Sequence, residues 1–300
     1  IMNLGYACIN MSMGKKVTTN RSMVKRTFEA RGLDYVSELT LLNAKDIIKI
    51  LEWNRLNGIN FFRLSSALVP WGDGLDLTQL KDYKEIKFEL KKAGNFTKFW
   101  NMRVNSHPGP FVVLTSPNEE VVKNAIADLE LHGKIFDMMG LSKTPYNKIN
   151  IHCNGVYGDK KSAMDRLITN FKRLSPSVRK RLTLENDDKA SMYSVKDLMY
   201  IYEQTGIPIV FDYHHHQFCT GDLSEEAALK LAATTWPDGI TQEVHYSESK
   251  ALHENNTKIK AQAHSDYITT IPNTYDMGVD IMVEAKGKEL AILPFIKTML

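Results

Sequence analysis

Cysteine is scarce. The 300 residues hold three, Cys8, Cys153 and Cys219. None lies at CxxC spacing, and an odd number leaves at least one thiol free in a monomer. That excludes a disulfide framework and fits a reducing compartment. Long apolar runs are also lacking; none approaches the roughly 20 residues that span a bilayer. The start, IMNLGYACIN, has no basic stretch followed by an apolar core, so no signal peptide is expected. Charge of one sign is not in large excess: 38 Lys and Arg oppose 35 Asp and Glu, for a net +3. This is compatible with a polyanionic partner without predicting one. Linkers, low-complexity stretches and short repeats are missing too, so one domain over 1–300 is expected. Hydrophobic content of 43% and charged content of 24% are ordinary for a globular protein.

What the chain does contain is a rhythm. Short apolar runs of β-branched and large side chains, which read as buried strands, recur with a metal-ligand type of residue at the end. They are RVNSH to His107, NKINIH to His152, RLTLE to Glu185, IPIVFD to Asp212, TQEVH to His245 and DIMVE to Glu284. Two more runs, 4–9 and 60–64, bring the strands to eight. Helical apolar spacing falls between them at 44–57, 118–139, 162–174, 195–204 and 224–235. Ser194 and Ser224 suit helix N-caps, and Gly206 suits a C-cap. Eight alternating units in 300 residues predict an α/β fold, a (β/α)8 TIM barrel with its site at the C-terminal mouth. A doubly wound open sheet would gather ligands at one switch point instead of six strand ends. Two segments interrupt the alternation. Residues 10–37 carry Lys15, Lys16, Arg21, Lys25, Arg26 and Arg31; residues 247–265 carry Lys250, Lys258 and Lys260. Both are expected as loops over the mouth, either solvated surface or phosphate contacts.

The histidines need sorting. His132 falls on a helix pattern and is expected at the surface, and His253 lies in a polar loop. His107, His152 and His245 end strands, where a buried neutral imidazole would still need partners. The run from Asp212 to His216 (DYHHH) offers a carboxylate and imidazoles on one sharp turn. Mixed His and carboxylate ligands suit Zn²⁺, Mn²⁺ or Fe²⁺, and Glu185 and Glu284 suit a bridging role. Closely spaced metals stabilise both oxygens of a phosphoryl displacement. The chemistry therefore points first to phosphoester hydrolysis and then to sugar isomerisation.

The motifs LGYACIN, TTNR, FFRLSS, SHPGPFV, IHCNGVYGDK, LTLENDD, VFDYHHH and VEAKGKE occur in this order along nearly the whole chain. In them the chain resembles the UV damage endonucleases (UVDE family), and more distantly the endonuclease IV type of apurinic endonuclease. The resemblance implies a barrel with two or three Mn²⁺ or Zn²⁺ ions. It implies incision of double-stranded DNA immediately 5′ of cyclobutane pyrimidine dimers and 6-4 photoproducts, leaving a 3′-hydroxyl and a 5′-phosphate. Glu185 would bridge; Asp212, His245 and Glu284 would complete one ion's shell; His107 and His152 would hold a second ion with Glu185. His215 and His264 would serve a third, with His216 as neighbour. Glu185, His107 and Lys286 would act in catalysis, Lys286 on phosphate charge. The implied state is a monomer, cytoplasmic and nucleoid-associated in a prokaryote, with no membrane partner.

Three departures stand out. Gly72, Asp73 and Gly74 replace a family His, leaving Asp73 as a weaker ligand. Glu243, two residues before His245, stands where relatives carry a carboxylated lysine, so it is counted with the metal ligands. Pro110-Phe111 replaces the Gln-Tyr pair that probes bases opposite the lesion. Phe111 keeps the wedge, and Tyr6 and Asn10 are expected to probe alongside it. A sugar isomerase or epimerase and a non-catalytic binder of damaged DNA are the alternative readings.

Overall fold

The architecture comes from a computed structural model that describes residues 2–299. Eight parallel strands close into a barrel in chain order. They are β1 (Leu4–Ala7), β2 (Phe61–Leu64), β3 (Arg103–Ser106), β4 (Ile149–His152), β5 (Leu182–Glu185), β6 (Ile209–Asp212), β7 (Gln242–Tyr246) and β8 (Val279–Val283). β8 closes on β1 with Leu4 opposite Ile281. Helices α1 (Lys25–Leu56), α2 (Tyr83–Phe99), α3 (Glu119–Met139) and α4 (Lys160–Phe171) follow the first four strands. Helices Val195–Thr205, Glu225–Ala233 and Glu289–Met299 complete the outer layer. The expected (β/α)8 barrel is the observed fold. No helix among the described residues is long and apolar enough to cross a membrane.

The apolar core lies between barrel and helices, where Ile47, Leu51, Leu90, Leu129, Phe136, Leu167 and Leu198 are buried together. Helix ends follow local chemistry. Ser194 forms a reciprocal capping box with Asp197, and Ser224 accepts from the Ala227 amide. Gly206 ends its helix in the left-handed region. At one contact, between α2 and α3, a β-carbon on Gly94 would fall 1.7 Å from the Met139 carbonyl oxygen. Only glycine allows the two helices to approach that closely.

Three expectations need correction. Residues 10–37 are not all loop, because α1 starts at Lys25. Its periodicity is broken at Gly32, whose φ of 64° and ψ of −155° interrupt the helix and hid its first two turns. Helix α2 was not expected, although Ile86, Leu90, Ala93 and Thr97 form a buried stripe at helical spacing. His132 is not at the surface. It is buried on α3, with Nδ1 2.9 Å from Asp128 one turn earlier. Nδ1 is partnered there, while Nε2 is buried on the inward face of α3 without a hydrogen-bond partner.

Candidate metal centre

A strand's side chains alternate faces, so residues two apart point the same way. Arg103, Asn105 and His107 therefore share a direction, as do Lys148, Asn150 and His152, and Glu243 and His245. These chains fill the barrel in stacked polar tiers. Lowest, Arg103 pairs with Asp280 at 3.1 Å and bonds the carbonyls of Tyr146, Thr241 and Pro145. Above it, Asn105 donates to Glu243 (2.7 Å) and Thr183 donates to Asn150 (2.8 Å). Asn150 then donates to Glu185 in the top tier (2.8 Å).

The top tier brings two ligand groups together. His107, His152 and Glu185 form one; Glu185, Asp212, His245 and Glu284 form the other. In each group the donor atoms lie within 4.8 Å of one another. Glu185 belongs to both. Three atoms of the second group, Asp212 Oδ2, His245 Nδ1 and Glu284 Oε1, are buried without a hydrogen-bond partner. An unpartnered buried polar atom costs about 1–3 kcal/mol, and two carboxylate oxygens converging beside an imidazole nitrogen fit a cation. The donor set is nitrogen and oxygen only, so the residues present suit a divalent ion such as Mn²⁺ or Zn²⁺.

The tautomers agree. His107 Nδ1 donates to the Pro108 carbonyl (2.8 Å), His152 Nδ1 to Asp187 (2.8 Å), and His215 Nδ1 to the Asn186 carbonyl (2.8 Å). In His107 and His152 this turns Nε2 toward Glu185 (3.3 and 3.2 Å), an outer-partner arrangement usual for metal-binding imidazoles, whereas in His215 Nδ1 itself also faces Glu185 (3.2 Å). His245 is reversed. Its Nε2 faces Arg63 (3.2 Å) and Lys148 (3.4 Å), and its Nδ1 faces Glu185 (3.1 Å). Arg63 also grips Glu284 at 2.9 Å. Arg63, Lys148, Asn150, Asn186 and Asp187 were missed as site residues. The signal was available: each is a polar residue within or beside an apolar strand run, and Asn150 lies two before His152.

Burial alone would raise Glu185, but the imidazoles of His245 and His152 outweigh it and hold the carboxyl well below its usual range. Burial opposes a proton on His152, yet Glu185 and Asp187 push its pKa up to about 10. Asp212 and Glu185 likewise take His215 to about 11 against burial. Burial brings His245 down to about 4. Asp212 is raised well above the carboxylate range by burial, and the negative charges of Glu185 and Glu284 add to this. A pronounced consequence follows for metal uptake. His152 holds its proton far above pH 7 without metal, and a cation can take its nitrogen only when that proton leaves. Uptake at neutral pH should release protons, and affinity should rise with pH, about tenfold per unit for each proton released. Calorimetric titration with Mn²⁺ in buffers of different ionisation enthalpy measures this; a pH-independent affinity would contradict it.

Other expected site residues fall elsewhere. Tyr6 has no exposed surface, and its hydroxyl donates to Asn54 (2.5 Å). Asn10, also buried, donates to the Tyr6 oxygen (2.9 Å). β1 points the Tyr6 ring into the core beside Phe62, and the Asn10 side chain accepts from the Met13 amide. Glu243 is not among the grouped ligands; it is spent on Lys148 (2.6 Å) with neither side chain exposed. Its arm ends one tier too low. Asp73 faces Asp128 and His132 on α3 and joins neither group. His264 lies 5.9 Å from His214 and lines a cavity with Arg63, Glu284, Lys286 and Lys288, outside both groups. His215 stands 3.2 Å from Glu185, beside both groups. His216 packs on Phe211, and His253 pairs with Glu248. Pro110 and Phe111 lie on the exposed β3–α3 loop, with Phe111 88% exposed. Lys286 is exposed and, among the described residues, forms no ion pair. The same holds for Lys15, Lys16 and Arg26 near the mouth.

With this geometry in view, the family model described as UV-endonuclease UvdE matches residues 2–300. The chain belongs to the UvdE family. A UV-damage endonuclease of Schizosaccharomyces pombe is 38% identical over 96% of this chain, which spans 49% of that relative's length. A UV DNA damage endonuclease of Clostridium perfringens is 33% identical over 99% of this chain and 71% of its own. The crystal structure of SacUVDE superposes with a TM-score of 0.86 at 31% identity, covering 100% of this chain and 98% of that one. Endonuclease IV of Thermus thermophilus (TM-score 0.59) and a D-psicose 3-epimerase of Clostridium cellulolyticum (0.53) share the barrel at 11% identity. Those two likenesses concern the fold alone. Membership in UvdE makes the protein one of a family of endonucleases for UV-damaged DNA.

Proposed function

We propose that the protein is a metal-dependent repair endonuclease that cuts double-stranded DNA immediately 5′ of cyclobutane pyrimidine dimers and 6-4 photoproducts, leaving a 3′-hydroxyl and a 5′-phosphate. The observation that carries this reading is Glu185, one carboxylate shared by two ligand groups, with partnerless buried carboxylate oxygens of Asp212 and Glu284 in the second. His107, His152 and Glu185 would hold one ion, and Glu185, Asp212, His245 and Glu284 another, with Mn²⁺ or Zn²⁺ as the fitting metals. Bound there, such a pair supplies a water nucleophile at neutral pH and neutralises charge on a displaced phosphate oxygen.

The chain's own residues do the rest. Arg63 locks Glu284 and the His245 ring. Asn150 fixes the rotamer of Glu185. Lys286 at the rim meets phosphate charge, and Lys15, Lys16 and Arg26 neutralise the backbone further along the duplex. Phe111 projects far enough to wedge into the base stack, where a lesion already weakens stacking and lowers the cost of extrusion.

Plasmid nicking tests the reading. The protein with Mn²⁺ or Zn²⁺ should nick UV-irradiated supercoiled DNA, spare unirradiated DNA, and stop when a chelator is added. A sugar epimerase would nick neither, and a pure damage binder would retard irradiated DNA without cutting. Either result would sink the proposal.

A further inference from the structure

The turn after β4 is more elaborate than holding His152 requires. Between β4 and α4, Asn154, Tyr157 and Gly158 all adopt left-handed backbone, with φ of 62°, 53° and 75°. For non-glycine residues this costs on the order of 1–3 kcal/mol each, and such strain persists only where surrounding structure enforces it. Here it is enforced from several sides. The Tyr193 hydroxyl donates to the Gly155 carbonyl (2.9 Å), and the Asn154 amide reaches the Pro110 carbonyl (3.4 Å). The Tyr157 ring packs against Gly155, where a β-carbon would come within 2.6 Å of it. Arg166 on α4 sits 5.5 Å from the Tyr157 ring centre and donates to the Thr115 carbonyl on the β3–α3 loop (2.7 Å).

So held, the ring does not complete the core. Tyr157 remains 48% exposed, on the loop next to the one that carries Phe111. The Pro110 carbonyl that Asn154 contacts adjoins Phe111 itself. The two loops flank a cavity of about 370 Å³ lined by His107, His152, Asn154, Pro108, Pro110 and Glu284. A strained turn that fixes an exposed aromatic ring on the loop that follows His152 is a pre-organised stacking plate: little freedom remains to be lost on binding.

We propose that Tyr157 is a specificity-determining residue that stacks on a nucleobase displaced at the lesion, as a second aromatic contact beside Phe111. The proposal rests on the reading of the protein as a nuclease for UV-damaged DNA. Every base offers a π face, so such a plate holds displaced bases whatever their sequence. Intact duplex, with its bases in the stack, gains nothing from it.

The test uses the Mn²⁺-loaded protein and two fluorescent duplexes, one carrying a single thymine dimer, both with a phosphorothioate at the scissile position to slow cutting. Anisotropy gives each affinity. Tyr157→Ala and Tyr157→Leu should each weaken binding to the damaged duplex about tenfold, as expected for one lost stack, and leave the intact duplex nearly unchanged. Tyr157→Phe should keep the wild-type ratio. A 2-aminopurine beside the dimer should brighten in the Leu variant relative to wild type. A Leu variant that discriminates like wild type would overturn the inference, since leucine covers Gly155 without offering a π face. So would equal weakening on both duplexes. Wild-type protein without preference for the damaged duplex would overturn the nuclease reading along with it, a result separable from these.

Discussion

Glu185→Gln is expected to slow nicking of irradiated DNA at least about a thousandfold while leaving the fold and duplex binding in place. The change keeps the size of the side chain and removes its charge. Glu185 alone belongs to both ligand groups, so one substitution weakens both. A metal pair supplies several kcal/mol of charge stabilisation in the transition state, and about 4 kcal/mol corresponds to roughly a thousandfold in rate. The neighbourhood amplifies the loss. Glu185 sits within 3.3 Å of His107, His152, His215 and His245, and a neutral amide cannot balance the imidazolium charge of His152 and His215. Bound Mn²⁺, measured by elemental analysis, should fall in parallel. A variant that cuts within tenfold of wild type would remove Glu185 from the centre of the mechanism.

Glu243→Leu should give the largest loss of stability. Lys148 and Glu243 pair at 2.6 Å, and neither side chain has exposed surface. Removing one partner of such a pair leaves a buried charge uncompensated, at about 3–5 kcal/mol. Burial already drives the Lys148 pKa well down, so shedding its proton would put the cost at the lower end. At about 2–4 °C per kcal/mol for a large domain, the melting temperature should drop by about 6–20 °C. The double variant Lys148→Met with Glu243→Leu should recover most of the loss, because no charge is left behind, and should keep its bound Mn²⁺. Melting curves and metal content separate the two roles considered for Glu243. Stability unchanged in the single variant, with metal lost, would make it a ligand after all; the geometry makes it the lysine's partner.

The resemblance to relatives pointed to Glu243 as a ligand because position relative to His245 is all that a sequence can register. Two residues on a strand are about 6.6 Å along it, which puts the Glu243 carboxylate a full tier below the His245 ring. Tyr6 and Asn10, expected as lesion probes, are buried for a related reason. Their place near the end of β1 was legible, but the side of the barrel wall on which Tyr6 falls depends on register with β2 and β8. Phe111 was legible as a wedge from its place in the SHPGPFV motif, and it is exposed on the β3–α3 loop. Tyr157 lies in the motif IHCNGVYGDK, but nothing local announces that its neighbours force it into the left-handed region.

By itself the sequence determined the number of strands, the barrel, and a His, Glu or Asp at six strand ends, because apolar period and terminal residue are local properties. Only the tertiary structure decided that Glu185 is shared, that His245 turns Nδ1 rather than Nε2 toward it, and that Arg63 and Lys148 enforce that choice. Those facts depend on distances between residues as much as 221 apart in the chain, as for Arg63 and Glu284. Such distances exist only once β8 has closed on β1.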